Sequence, residues 1–355
     1  MRGLRKYLTP FAPDQSGAVS VLYELGGIVV VCDAGGCTGN ICGFDEPRWH
    51  NARSAVFSAG LRDMDAILGR DDKLVAELAD AAHKIEANFA AIVGTPVPSV
   101  IGTDYHALRR MAERRCDLPV ITVDTTGMEL YDVGASKAYV ELFDRFATRS
   151  LPQQQGRTLY LGANPLDLSC VPPRSMSLSF DDVVRASEAE KVVVVAPSGL
   201  AAAKLLRRRF GAPYEITYPW FDEDDCLSVA MRENRPGAND SPHDGHDDVM
   251  WAGKRVLVVH QQVAANTLRT RLLAHGAERV TCATWFMQVA ELAQDGDVRL
   301  REEDDFEELV YQGDFDVLVG DPTLWRIVPR FEGATIGVPQ FPVSGELAPW
   351  TGELA

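Results

Sequence analysis

The sequence predicts an α/β protein of three units, each a mostly parallel sheet flanked by helices. Two observations carry this. Short apolar runs recur along the chain, and stretches with a 3.6-residue apolar period separate them, as when buried parallel strands alternate with helices. At 355 residues the chain exceeds one ordinary core, and two polar stretches divide the pattern.

The strand-like runs are Ile28–Val31, Ala90–Val93, Val120–Val123, Thr158–Leu161, Val192–Val195, Arg255–Val259, Arg279–Cys282 and Val317–Val319. Helical periodicity covers Asp72–Asn88, Ala135–Thr148, Gly199–Phe210 and Ala264–His275. The first break is Ser150-Leu-Pro-Gln-Gln-Gln-Gly156. The second runs from Arg232 to Met250; it is acidic, lacks periodicity and reads as an exposed loop. Three Rossmann-like units result, at 1–152, 153–250 and 251–355.

Composition narrows the function. With 46% hydrophobic and 24% charged residues the chain reads as soluble and globular. No stretch approaches the roughly 20 apolar residues of a membrane span. The N-terminal segment lacks a signal-peptide core, so a cytoplasmic location is expected. A net charge of −16 argues against nucleic acid or an anionic membrane as partner. Seven cysteines, an odd number in a long chain, suggest reduced thiols or metal ligands rather than a disulfide framework.

Three of those cysteines lie together in Cys32-Asp-Ala-Gly-Gly-Cys37-Thr-Gly-Asn-Ile-Cys42-Gly, directly after the run Ile28–Val31. That places them on a glycine-rich loop at a strand's carboxyl end, where open α/β sheets bind ligands. Gly35 and Gly36 let backbone approach a bulky group. Thiolates suit iron–sulfur clusters. The same spacing also admits structural cysteines on a tight turn, or zinc.

Several segments together resemble the nitrogenase component 1 superfamily: the molybdenum–iron protein subunits, their cofactor-assembly scaffolds and the protochlorophyllide and chlorin reductase subunits. Cys32-Asp-Ala-Gly-Gly-Cys37 is similar to that family's His-Gly-Pro-x-Gly-Cys loop, and Gly94-Thr-Pro-Val-Pro-Ser-Val-Ile-Gly-Thr-Asp104 to its Ser-Thr-Cys-Pro loop. Phe57–Leu74 and Val120–Gly127 resemble the adjoining first-domain stretches. Val192–Tyr214, Gly253–His260 and Asp314–Pro322 resemble the later domains, in the same order. The chain reads as a short, divergent member.

The resemblance implies a cysteine-ligated iron–sulfur cluster, of 4Fe-4S type, at a subunit contact. It implies electrons arriving from an ATP-dependent iron protein, and pairing with a second copy or a paralogue. By the same resemblance Cys37 is a metal ligand; Cys32 stands at the family's histidine position and Cys42 is added downstream, so Cys32, Cys37 and Cys42 are the expected metal ligands, with Gly35, Gly36 and Pro96 lining the cofactor. A fourth ligand would be Asp33, Cys116, Cys170 or a residue of the second subunit. The departures are informative. The family's cysteine before the first strand falls in Phe11–Gly17, which has none, and that of the Ser-Thr-Cys-Pro loop falls at Pro96. The position that anchors the molybdenum–iron cofactor falls near Val195–Ala196, so that cofactor is not expected. Three functions stay open: a reductase component acting on an unidentified substrate, a non-catalytic cluster scaffold or carrier, and a structural subunit supporting a catalytic paralogue.

Other constellations carry less. Asp104 reads as a helix cap beside His106, and Asp124-Thr-Thr-Gly-Met-Glu129 as a strand-end turn. Tyr218-Pro-Trp-Phe-Asp-Glu-Asp-Asp-Cys226 suits either a ligand wall or interdomain packing. His243 and His246 sit in a solvated acidic linker. No phosphate-binding Gly-x-x-x-x-Gly-Lys-Ser/Thr and no Gly-x-Ser-x-Gly nucleophile elbow occurs.

Overall fold

The computed structural model describes residues 5–49, 54–169, 176–219 and 251–345. The first unit runs α1 (Asp14–Leu22), β1 (Gly27–Val31), α2 (Gly36–Asn40), a π-helical turn (Ile41–Asp45), β2 (Ala55–Ser58), α3 (Asp63–Leu68), α4 (Asp71–Lys84), β3 (Phe89–Val93), α5 (Pro96–Ile101), α6 (Tyr105–Glu113), β4 (Val120–Val123) and α7 (Tyr131–Phe146). Its strands form one parallel sheet in the order β2–β1–β3–β4, with Val31 opposite Ser58 on one side and Val93 on the other. Every residue of β1 is buried because helices cover both faces. The two-residue period of a strand divides them: Val29 and Val31 pack with α1 and α7, Ile28 and Val30 with α4 and α6.

The second unit holds β5 (Gln154–Leu161), α8 (Phe180–Val184), β6 (Ala189–Val194), α9 (Pro197–Phe210) and β7 (Tyr214–Ile216), its parallel strands ordered β5–β6–β7. One apolar cluster runs from Ala18 and Val31 through Leu142 to Leu206, so the first two sheets share a core around α7.

The third unit holds β8 (Arg255–Val259), α10 (Gln262–Ala274), β9 (Arg279–Thr284), β10 (Val298–Arg299), α11 (Glu303–Gln312), β11 (Val317–Gly320), β12 (Ala334–Gly337) and α12 (Phe341–Ser344). Its sheet is parallel throughout, in the order β10–β9–β8–β11–β12. All eight strand runs read from the sequence are strands. Four edge strands, β2, β7, β10 and β12, offer no continuous buried run and are not legible beforehand.

The N-terminal segment ties the first unit to the third. The Glu303 carboxylate accepts the amides of Lys6 at 2.8 Å, Tyr7 at 3.0 Å and Leu8 at 2.8 Å, and Phe11 packs on Trp285 and Phe286. The N-terminal segment thus straps the third unit to α1. Helices α1 and α7 then cross at backbone contact. A Cβ on Gly134 would lie 1.7 Å from the Asp14 carbonyl oxygen, and one on Gly17 1.8 Å from that of Tyr131, so neither position admits a side chain.

The three sheets meet at their carboxyl ends. There the fully buried Asp167 accepts the Tyr131 hydroxyl at 3.0 Å, the Ser198 hydroxyl at 2.8 Å and the Asn164 amide. Gln261 Nε2 donates to the Val195 carbonyl at 2.8 Å, and His260 Nε2 lies 2.7 Å from Ser169 Oγ. The Gln261 amide donates to His260 Nδ1, so Nε2 carries the proton, and burial holds the imidazole neutral with its pKa down to about 3. No helix among the described residues is long and apolar enough to cross a membrane.

Candidate functional site

The strand order of the first sheet reverses between β1 and β3, and that is where doubly wound sheets open a crevice at their carboxyl ends. The loops bounding it are Cys32–Gly35 and Gly94–Thr95. Gly35 takes a φ of +114° to turn the chain from β1 into α2. Asp33, 1% exposed, fixes the turn: its carboxylate accepts the Thr38 amide at 2.7 Å, the Thr38 hydroxyl at 3.0 Å and the Ser58 hydroxyl at 2.6 Å. The Thr95 hydroxyl joins the two loops by donating to the Cys32 carbonyl at 2.6 Å. Pro96 is the first residue of α5, where its fixed φ and missing N–H cost nothing.

The three thiols do not share one face. Cys32 continues the β1 ladder, its amide bonded to the Val93 carbonyl. It therefore stays in phase with Ile28 and Val30 and packs among Leu74, Leu78, Ile92 and Tyr105. Burial pushes its pKa up to about 12, reinforced by Asp71 and Asp33. Cys37, half-buried on α2, packs against the α1–α7 side. Cys42, also half-buried, sits in the π-helical turn, a geometry frequent at functional sites. Burial, then nearby carboxylates, raises the pKa of both: Asp33 beside Cys37, Glu46 and Asp33 beside Cys42. Gly36 and Gly39 face open space, since a Cβ on either would meet nothing within 4 Å.

The sequence-level choices for a fourth ligand narrow. Both oxygens of Asp33 are taken by Thr38 and Ser58. Cys116 is buried beyond the far end of α6, at the amino edge of the sheet. Cys170 lies outside the described residues, as do 220–226 of the aromatic–acidic stretch, His243 and His246. Among the described residues no three His, Cys, Asp or Glu side chains are grouped as an ion-binding set.

Residues that sequence reasoning passed over support the loop from behind. Asp14, Gln15 and Ser16 form the buried first turn of α1. Asp14 accepts the amides of Thr126 at 2.9 Å and Gly127 at 2.7 Å, and Ser16 donates to Asp45 across 2.6 Å. Burial raises the Asp45 pKa, and the Ser16 bond opposes that rise. Arg48 grips Glu46 and the Ser20 carbonyl and lies over the Tyr23 ring, which pins the far end of the cysteine segment. Asp104 caps α6 as expected, accepting the His106 and Ala107 amides at 3.0 Å, bonds that lower its pKa. Beside it a polar cleft of about 460 Å³ opens between α6 and α7, lined by Asp124, Lys137 and Glu141.

The carboxyl edge of this sheet is also unusually apolar. Phe44 is 78% exposed, Val100 83% and Met128 77%, and Met64, Leu68 and Val97 are exposed with them. These side chains lie in the segments that follow β1, β2, β3 and β4.

Comparisons with known proteins converge on one family. The family described as nitrogenase component 1 type oxidoreductase matches residues 15–221. The nitrogenase iron-molybdenum cofactor biosynthesis protein NifE of Clostridium pasteurianum is 24% identical over 192 residues, 50% of this chain and 42% of that protein, so the match spans under half of that relative. Among solved structures, nitrogenase Cp1 at pH 6.5 superposes with a TM-score of 0.70 at 11% identity, covering 98% of this chain and 89% of the other. Nitrogenase Cp1 at pH 5 gives 0.64 at 12% identity over 94% and 84%. Such identities speak to the fold.

Proposed function

The chain belongs to the nitrogenase component 1 type oxidoreductases, and from that membership we propose that it is a cytoplasmic reductase component holding an iron–sulfur cluster between two copies, or between this chain and a paralogue. The observation that carries the reading is the position of Cys37 and Cys42. They are the half-exposed thiols of the described residues, they flank open glycine backbone at the sheet's switch point, and the edge around them is apolar.

The donor chemistry fits. Cys37 and Cys42 are soft ligands, and the backbone at Gly36 and Gly39 leaves room for a group bulkier than a single ion. Two thiols from each of two chains complete the set that a cubane requires. Cys32 acts as a core residue. When bound, the cluster supplies one-electron transfer, delivered by an ATP-dependent iron protein. The chain's own part is to hold the thiols on a turn fixed by Asp33, to exclude water through the apolar edge, and to keep the thiols protonated until metal displaces the proton.

A second reading, a scaffold that holds a cluster for transfer, is favoured by the similarity to NifE, whose name records cofactor biosynthesis. Protein purified without oxygen separates the readings. Iron, sulfide and an electron paramagnetic resonance signal are expected in the wild type and in Cys32→Ala. They should be lost in Cys37→Ala and reduced in Cys42→Ala. Reduction of the bound cluster by an iron protein with ATP supports the reductase; cluster transfer to a metal-free acceptor supports the scaffold. Full iron in Cys37→Ala overturns both.

A further inference from the structure

We propose that the cleft along the outer edge of β4 is a binding site for a small aliphatic polyamine. The proposal is independent of the cysteine loop, which follows β1, two strands away in the sheet.

The fold makes this cleft. Among the described residues β4 is an edge strand of the first sheet. Helix α6 packs on one face, with Leu108 and Ala112 in the cluster of Val120; α7 packs on the other, with Ala138 and Leu142 in the cluster of Ile121 and Val123. A cleft lined by both helices together with Thr122 and Asp124 therefore opens along the strand's outer side. The Pro119 and Val123 carbonyls accept the amides of Ala90 and Gly94 from the β3 side, so the alternation of a parallel ladder turns the Thr122 carbonyl outward. Towards the amino end an ion pair of Arg145 and Glu113, at 2.8 Å, bridges α7 and α6. The slot is closed there, and a volume of about 460 Å³ suits a small molecule rather than an added strand.

Its charges call for a cation. Three carboxylates, those of Asp104, Asp124 and Glu141, line it against one ammonium, that of Lys137. Asp104 engages Oδ1 with the His106 and Ala107 amides, which leaves Oδ2 over. Glu141 is half-buried and stands four residues after Lys137, a spacing at which opposite charges ordinarily pair. Here Lys137 donates instead to the Asp124 carbonyl at 2.5 Å, and Arg109 acts on Glu141 through charge alone.

A second observation points to an occupant. Tyr105, 8% exposed, forms the inner wall, and its hydroxyl has no hydrogen-bond partner. That oxygen lies beside Gly94, 2.3 Å from where a Cβ there would stand, and within the field of Asp124. Buried polar groups are ordinarily satisfied, and an ammonium hydrogen suits an acceptor next to a carboxylate. The carboxylates do not converge on a point, since no three such groups among the described residues form an ion-binding set. Charge spread along a cleft fits a cation whose charge is likewise spread, with Val140 and the Tyr105 ring beside its methylenes.

The experiment is calorimetric titration of the full chain in about 0.15 M salt, which screens loose surface attraction. The probes are spermidine, putrescine, magnesium chloride and sodium phosphate. Spermidine should saturate a single site, with putrescine weaker. Glu141→Gln should weaken spermidine about tenfold, the loss of one charge-assisted bond. Tyr105→Phe should also weaken it, while the ligand-free variant melts at or above the wild-type temperature. Lys137→Met should tighten it, because a competing cation leaves. Glu77→Gln, which alters an exposed carboxylate of α4, and Cys37→Ala should bind as the wild type does. Absence of saturable spermidine binding, or an affinity unmoved in Glu141→Gln, overturns the proposal. Magnesium binding tighter than spermidine would make this a metal site, and phosphate binding lost in Lys137→Met an anion site; either overturns it, as does loss of spermidine binding in Cys37→Ala. If Tyr105→Phe fails to fold, Glu141→Gln and Lys137→Met decide, since neither side chain is in the core.

Discussion

The Tyr131 hydroxyl donates to the Asp167 carboxylate at 3.0 Å, from the first turn of α7 to the loop after β5. This contact joins the first unit to the second, and it makes their junction sensitive to pH. Burial raises the Asp167 pKa to about 7, against about 3.9 for a free Asp. The folded chain keeps a proton that the unfolded chain releases. The stabilisation is complete below pH 4 and is lost as pH rises through 7. Asp167→Asn lacks this dependence. The stability difference between wild type and variant, measured by urea melts, should shift by up to about 4 kcal/mol from pH 4 to pH 8, in favour of the variant. A difference constant with pH would sink the assignment.

Gly134→Ala tests the crossing of α1 and α7. Helix propensity alone favours Ala by about 1 kcal/mol. The added Cβ, 1.7 Å from a backbone oxygen, forces the helices apart, and overpacking costs typically about 1–3 kcal/mol, here at the upper end because the clash is with backbone. The net sign is destabilising. An urea midpoint equal to or above the wild type's would show that the helices are not in backbone contact.

Asp33→Ala removes the acceptor for Thr38 and Ser58. The expected loss is about 2 kcal/mol, with faster amide exchange confined to α2. Unchanged protection at Thr38 would mean that the turn is held by something else.

Phe44→Lys with Val100→Lys tests the apolar edge. Both side chains are mostly exposed, so the fold of one chain should move by no more than about 0.5 kcal/mol. Sedimentation at micromolar concentration should show the wild type as a dimer, or as a pair with its paralogue, and the variant as a monomer. A variant that still pairs places the contact elsewhere.

How much of this was legible varies by element. Eight strands show in the sequence through apolar runs, which are longest where burial on both faces leaves them uninterrupted, as in Ile28–Val31. Edge strands such as Ala55–Ser58 are half-covered and leave no such mark. The cysteine loop was legible as a loop at the carboxyl end of β1, but its division was not drawn, although the period of two places Cys32 in phase with Ile28 and Val30. The first turn of α1 could not be read. Asp14-Gln-Ser has the composition of an exposed helix start, and only the close approach of α7 at Gly134 buries it.

That division of the loop has a consequence for reactivity. Cys32 faces α4 and α6 while Cys37 faces α1 and α7, so air oxidation cannot bridge them while β1 stays paired. In metal-free protein, an alkylating reagent such as iodoacetamide reaches Cys37 and Cys42 from solvent, whereas Cys32, Cys116 and Cys282 are sealed until the chain unfolds. Peptide mapping after brief labelling would therefore find adducts on two thiols of the cysteine loop and none on the third, and loading the protein with iron and sulfide beforehand would protect those same two.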